Sequence, residues 1–294
     1  LSDLAGADPT TPTIAKQVMI SDRDRHVIVF GCDAQDNIGV QDPLLIRFSD
    51  QENPLVWSAQ ATNTAGDLRI GTGSEIITAV ETRQQILVFT DKSLHAMQYL
   101  GPPFTFGISM LSENITIASP LAAIAVDDMV MWMGEQEFYI YSGQVQKLPC
   151  SVRSYVFNDF NQDQAEKVTA AVNSSYSEIW WFYPSATVTN GLINQNIDKY
   201  VVYNYQEKVW YYGNLARSAW IDRGIGQYPI AASLDGYLYY HEFGNDDGSV
   251  NPPAGITSYI ESSQMSLGAG DNFVLLSKLI PDVTFDGSSS LRQM

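Results

Sequence analysis

The sequence predicts an all-β fold, a β-propeller-like array of antiparallel blades with an additional β-rich segment at the C-terminal end. Three observations carry that expectation. Short apolar runs rich in Val, Ile, Tyr, Phe and Trp alternate with polar turns along the 294 residues, the pattern of strands rather than helices. The composition of 45% apolar and 12% aromatic residues against 17% charged ones describes a folded, aromatic-rich chain. Finally, a strand of small and β-branched residues, a turn and an aromatic strand recur together at a spacing near 46 residues, and repeats of that length with several antiparallel strands are the signature of propeller blades.

In chain order, residues 1–25 with their "DPTTPT" read as an arm or linker. Blades then occupy residues 26–254. "HVIVFGCD" opens the first unit, and "DPLLIRFSDQENPLVWSA" supplies two more strands. The repeat itself appears as "IITAVETRQQILVFTD", "AAIAVDDMVMWMGEQEFYIYSG", "TAAVNSSYSEIWWFYPS" and "PIAASLDGYLYYHEFG". Ala125 follows Ala79 by 46 residues and Ala171 follows Ala125 by 46 more, whereas Ala231 comes 60 later, the excess matching the polar insert "SATVTNGLINQNID". These alanines are expected near the axis, where blades crowd together. One short helix is expected in "DFNQDQAEKVTAAV", with Asp159 as cap and Gln162 completing a capping box. The run Trp180, Trp181, Phe182, Tyr183 fits a middle strand covered on both faces, and "KYVVYNYQEKVWYYG" an outer strand. This makes about five units. Residues 255–294, with "ITSYIESSQMSL" and "NFVLLSKLIPDVTFDG", read as a β-rich extension or a further blade. A pair of β-sandwiches is the competing architecture. The chain opens at Leu1 and stops at Met294 after "DGSSSLRQ", and is read as a piece of a longer protein.

No catalytic, cofactor or metal residue is assigned, and the chain is not expected to be an enzyme. His26, His95 and His241 are far apart in sequence, and no H-E-x-x-H is present. "GTGSE", Gly71 to Glu75, matches neither a nucleophile elbow nor a P-loop and reads as a hairpin turn. The acid pairs Asp127 and Asp128, Glu135 and Glu137, and Asp246 and Asp247 are the material for glycoside hydrolysis, yet each falls in a turn, where acids serve the backbone, and the sialidase Asp box is missing. "GNDDGSVN" lacks the spacing of a calcium loop. Asn114 and Asn173 head glycosylation-type triplets. Cys32 and Cys150 read as buried thiols. Tyr211, Tyr212, Tyr239 and Tyr240 are candidates for stacking on sugars or at an interface, with core packing favoured.

Charge sharpens the picture. With 16 basic and 33 acidic residues the net charge is −17, and the basic residues are scattered singly, so no footprint for gripping phosphates is present. No apolar run approaches the length of a membrane span, so stable membrane insertion is not expected.

"MVMWMGEQEFYIYSGQVQKLPC", "YVFNDFNQDQAEKVTAAVNSSYSEIWWFYPS" and "DKYVVYNYQEKVWYYG", with "LIPDVTFDG" further on, resemble the tail nozzle proteins of short-tailed bacteriophages, also called tail tubular protein B or packaged-DNA stabilisation proteins. The resemblance spans roughly residues 120–285. It implies a propeller-bearing subunit of a homo-oligomeric ring, a hexamer, below the portal and adaptor, which continues the channel for double-stranded DNA and retains the genome until ejection. Tail fibre or spike proteins are the other implied partners. The implied location is the virion tail, after a soluble stage in the host cytoplasm. The resemblance implies no active-site residues. A carbohydrate-binding or glycan-cleaving propeller, such as a receptor-binding tail component, is the alternative.

Overall fold

The computed structural model describes residues 8–244 and short pieces beyond them, at 246–247, 250–252, 254–256, 259, 275 and 277–278. The chain divides into two compact units, Leu1–His241 and Glu242–Met294. The boundary follows the last strand of the sheet array, 13 residues before the position expected from the sequence.

The first unit is a succession of antiparallel sheets, four of four strands and one of three. The first sheet joins β1 (Gln17–Ile20), β2 (Val27–Phe30), β5 (Leu45–Phe48) and β6 (Gly66–Arg69), with a small hairpin of β3 (Asp33–Ala34) and β4 (Asn37–Gln41) inserted. The second runs β7 (Ile76–Glu81), β8 (Ile86–Thr90), β9 (Ser93–Gly101) and β10 (Thr105–Glu113). The third runs β11 (Ala123–Val126), β12 (Met129–Met133), β13 (Phe138–Tyr141) and β14 (Val145–Lys147). After helix α1 (Arg153–Asp159), the fourth joins β15 (Thr169–Asn173), β16 (Glu178–Pro184), β19 (Ile197–Asn204) and β20 (Val209–Asn214). The polar insert between β16 and β19 carries its own hairpin, β17 (Val188–Thr189) with β18 (Leu192–Ile193). The fifth sheet is β21 (Ala219–Ile221), β22 (Ile230–Ala232) and β23 (Leu238–Tyr240). In the second unit only β24 (Asp246–Asp247), paired with β25 (Ala254–Gly255), is described; "ITSYIESSQMSL" and "NFVLLSKLIPDVTFDG" lie almost wholly outside the described residues.

From the second sheet on, successive sheets meet through their first strands, β7 beside β11, β11 beside β15 and β15 beside β21, while the first and second meet at β2 with β7 and β6 with β10, which makes the unit a propeller-like array of blades. An aromatic pair sits at every junction. Phe48 meets Phe106 at 4.9 Å, Phe89 meets Trp132 at 5.1 Å, Phe138 meets Trp181 at 4.9 Å and Trp180 meets Trp220 at 5.7 Å between ring centroids. Such pairs contribute about 0.5–1.5 kcal/mol each beyond the area they bury. Polar ties accompany them. The Gln17 amide imitates a neighbouring strand, accepting from the Ala79 N–H at 2.6 Å and donating to the Ala79 carbonyl at 2.9 Å. The Trp181 indole donates to the Ala122 carbonyl at 3.0 Å and the Trp220 indole to the Val172 carbonyl at 2.9 Å. Buried indole N–H groups thus find partners in the adjacent sheet.

The continuous aromatic run is explained by the two-residue period of a strand. Trp181 and Tyr183 face the third sheet, while Trp180 and Phe182 join the cluster that includes Trp220 of the fifth. Both faces of β16 are covered, so all seven of its residues are buried. Turn chemistry closes the hairpins. Gly143 and Gly236 take the left-handed backbone at φ 89° and 87°, and the Asn204 side chain accepts from the N–H groups of Gln206 and Glu207.

Several expectations are corrected. Residues 8–20 are part of the first blade: β1 pairs with β2, and the preceding segment caps the outer face of the sheet. "HVIVF" is therefore the second strand, and "NPLVW" is no strand but a loop that delivers Trp57 to that face. There Arg47, 1% exposed, donates to the carbonyls of Thr10, Asp33 and Trp57, and Asp8 accepts from Trp57 N, Ser58 N and Thr10. Burial opposes ionisation of Asp8, but those hydrogen bonds outweigh it and hold its carboxyl far below the usual range. Ala231 lies on the second strand of its sheet, paired with Trp220 and Tyr239; the first strand is Ala219–Ile221. Counting from Ala231 therefore overstated the last step of the repeat. The helical segment starts earlier than expected, at Arg153, and Asp159 ends α1 instead of capping a helix. Asn161 caps the following 3-10 turn, Gln162–Lys167, by accepting from Asp163 N at 3.1 Å. The Asp159 carboxylate instead pairs with Lys199 at 2.6 Å. Among the described residues no helix is long and apolar enough to cross a membrane.

Candidate functional site

The three histidines occupy three separate environments. His26, fully buried before β2, holds the Ser49 carbonyl through Nδ1 at 2.7 Å, among Phe48, Tyr99 and Phe106. His95 on β9 shares a 2.9 Å hydrogen bond with the Ser93 hydroxyl, and burial lowers its pKa. His241, after β23, accepts from Arg217 Nε at 2.9 Å and lies 4.7 Å from the Trp220 ring. Burial, aided by the Arg217 charge, lowers its pKa to about 4. No group of three or more His, Cys, Asp or Glu side chains able to hold a metal ion occurs among the described residues.

Two of the three acid pairs lie in turns, each with one member in an ion pair. Asp127, at φ 53° in the β11–β12 turn, lies 3.3 Å from Arg83, and both side chains are exposed. Glu137 receives Lys147 at 3.2 Å and Arg153 at 2.8 Å. Partial burial works against its charge, but the hydrogen bonds from Lys147 and Arg153 prevail and lower its pKa. Glu135 lies in the same turn, where its N–H donates to the Thr116 hydroxyl. Asp246 and Asp247 form β24, and part of "GNDDGSVN" lies outside the described residues. "GTGSE" is no hairpin turn. It crosses from the first sheet to the second, pinned by Ser74, whose N–H and hydroxyl donate to Asp91 at 2.7 and 2.8 Å. Asn173 is 0% exposed, so its glycosylation-type triplet presents no accessible acceptor. Cys32 and Cys150 are free thiols, and burial pushes their pKa values up to about 12 and about 11.

The four tyrosines split. Tyr212 stacks on Tyr155 at 3.9 Å, and Tyr239 donates to Asp235 at 2.6 Å beneath the Arg217 guanidinium. Tyr211 and Tyr240 turn outward, Tyr240 at 65% exposure. Much of the positive charge is paired, although Lys92, Lys208 and Arg223 are exposed and make no ion pair with a described carboxylate. Arg47 is buried, and Lys16, Arg23, Arg25, Arg69, Arg83, Lys147, Arg153 and Lys199 each pair with a carboxylate.

One concavity was not anticipated from the sequence. A shallow groove of about 400 Å³ runs between the outer strands of the first and second sheets, lined by the loop before β6 and the tip of the β9–β10 hairpin. Its rim holds Phe104, 75% exposed. "GPPFT" contains the usable signal: two consecutive prolines have no N–H to give the ladder, so they mark a hairpin tip that stands clear of the sheet and carries its next side chain to the surface.

No protein family profile matches the sequence, and no curated protein matches it. Among solved structures, the chain is similar to Kluyvelomyces marxianus Hsv2 (8% identity, TM-score 0.44, covering 76% of this chain and 62% of that one). It is also similar to a functionally unknown protein from Desulfotomaculum acetoxidans (8%, TM-score 0.40, 77% and 71%) and to the AfRom2 CNH domain (10%, TM-score 0.38, 76% and 68%). The matched region thus spans about three fifths of the Hsv2 chain. The chain is an all-β protein of propeller-like antiparallel blades, on the strand order and register described above.

Proposed function

We propose that this chain is a structural subunit of a short-tailed bacteriophage tail, a nozzle component that works by shape and electrostatics without turnover. One observation supports this reading best. In a chain of net charge −17, most of the basic side chains named above are buried or already neutralised by carboxylates. A duplex binds tightly where Lys and Arg displace its counterions. A strongly acidic surface whose few unpaired cations are scattered singly repels DNA more than it holds it. The resemblance over roughly residues 120–285 supplies the specific role: a homohexameric ring below the portal and adaptor, in contact with tail fibre or spike proteins, in the virion. Of the paired acids that a glycan-cleaving enzyme would need, Asp127 and Glu137 are engaged in ion pairs, which favours the structural reading.

The test is assembly. Native mass measurement and electron microscopy of the protein should give a closed hexameric ring, and labelling in the particle should place it between the portal and the tail tip. A monomer at every concentration together with a free-solution location overturns the reading. A duplex titration at moderate salt should give no sub-micromolar complex; a tight, salt-sensitive one contradicts the electrostatic argument.

A further inference from the structure

We infer that the groove between the first two sheets is a binding site for a neutral oligosaccharide. Its floor is flat because Gly66 lies directly over the Phe48 ring, where an added Cβ would come within 2.8 Å. On one side stand Gln60 and Asp67, whose side chains make no hydrogen bond to any described residue. Asn63 braces the loop between them, donating to the Ser58 carbonyl at 2.8 Å and accepting from Gln60 N at 3.0 Å. On the other side the Phe104 ring is three-quarters exposed, an unusual placement for so large an apolar surface. Beside it Thr105, 5% exposed, holds φ 53°. A β-branched residue in the left-handed region is a strained one, and such strain concentrates at binding sites.

The chemistry of the lining selects the ligand. A sugar ring has an apolar C–H face and a rim of hydroxyls that both donate and accept. Phe104 offers the flat apolar partner for the face, while the Gln60 amide and the Asp67 carboxylate offer the matching acceptors and donors. No Lys, Arg or His lines the groove, which disfavours phosphorylated or acidic ligands. The groove is open and polar-rimmed, unlike the enclosed apolar pockets that take hydrophobic small molecules. The site binds without cleaving. It stands apart from the ring assignment, since neither its residues nor its test depends on assembly.

The full chain, isotope-labelled, is titrated in separate nuclear magnetic resonance experiments with cellohexaose, maltohexaose and chitohexaose. At least one should shift the resonances of Phe104, Thr105 and the loop around Asn63, with a Kd of about 0.1–1 mM as expected for a shallow site. Phe104→Ala should weaken that binding about tenfold, and Gln60→Ala about threefold. Because both side chains are exposed, the melting temperature should not move. Absence of shifts at the groove with all three sugars overturns the proposal. So does binding unaffected by Phe104→Ala, or saturation of the groove by choline with no sugar response, which would mark it as a cation site.

Discussion

The fourth and fifth sheets carry nearly the same local message and meet opposite fates. Trp180 to Tyr183 in β16 is an aromatic run, and so is "YLYYHEF" around β23. The first run is wholly buried. In the second, Tyr237, Leu238, Tyr240 and Phe243 are each about two-thirds exposed or more. What differs is the neighbour. The fourth sheet lies between the third and the fifth, so alternate side chains are covered on both faces. In the fifth, Trp220 packs into the cluster of the fourth sheet and its neighbour Ala231 is buried, whereas the described residues leave Ile221 on the other face 72% exposed. The first sheet, whose outer face lies at the opposite end of the array, shows a third solution. Its own upstream segment, Trp57 and the buried Arg47 cap that face. An aromatic strand is thus a demand for cover, and the fold decides whether the demand is met.

Four experiments break or sharpen this contrast. The largest effect is expected at the fourth sheet. Trp181→Ala should destabilise the fold by about 3–5 kcal/mol, through a cavity facing Phe138 and the loss of the bond to the Ala122 carbonyl. Chemical denaturation measures it, and a loss under about 1 kcal/mol would show that the sheets do not clamp this ring.

Gln17→Ala comes next, at about 1–3 kcal/mol, because it strips partners from both backbone groups of Ala79 at the junction of the first two sheets. A change within noise would mean that solvent replaces the tie.

A third experiment uses pH. His241 has a folded pKa of about 4 against about 6.5 for an ordinary imidazole, so the unfolded chain takes up its proton first. Its contribution is whole above pH 6.5, declines as pH falls towards 4 and then levels off. Protonation also removes the acceptor for Arg217 and sets two cations together. Hydrogen exchange, corrected for intrinsic rates, should show β21–β23 losing protection over that window, while the fourth sheet, which has no histidine, holds. Equal loss in both sheets would dismiss the local explanation.

The smallest effect belongs to Tyr240→Ser, expected to change stability by no more than about 0.5 kcal/mol by thermal unfolding. A larger loss would reveal that this face is covered after all.

The residues explain which parts of this outcome could be read in advance. Strand identity follows from local chemistry: β-branched and aromatic runs between Gly, Asn and Asp turns specify hairpins within a few residues of one another, and the 46-residue spacing of Ala79, Ala125 and Ala171 places the sheets in series. The double-sided burial of Trp180 to Tyr183 was legible for the same reason, because an unbroken apolar run of strand length needs cover on both sides. Ala231 misled because small residues also occur on a middle strand, where Trp220 and Tyr239 flank it.

The amino-acid order alone, then, dictated a serial stack of antiparallel sheets rich in aromatic residues, on a chain of net charge −17 with its basic residues scattered singly. Contacts between distant segments were settled in three dimensions. Gln17 reaches Ala79 across 62 positions, Trp57 covers a face that its own sequence neighbourhood does not announce, and Gly66 and Phe104 come to line one groove. The physical reason is range. Turn residues and the two-residue period act through the backbone over a few residues, whereas which faces meet, and which stay open, depends on how whole sheets stack against one another.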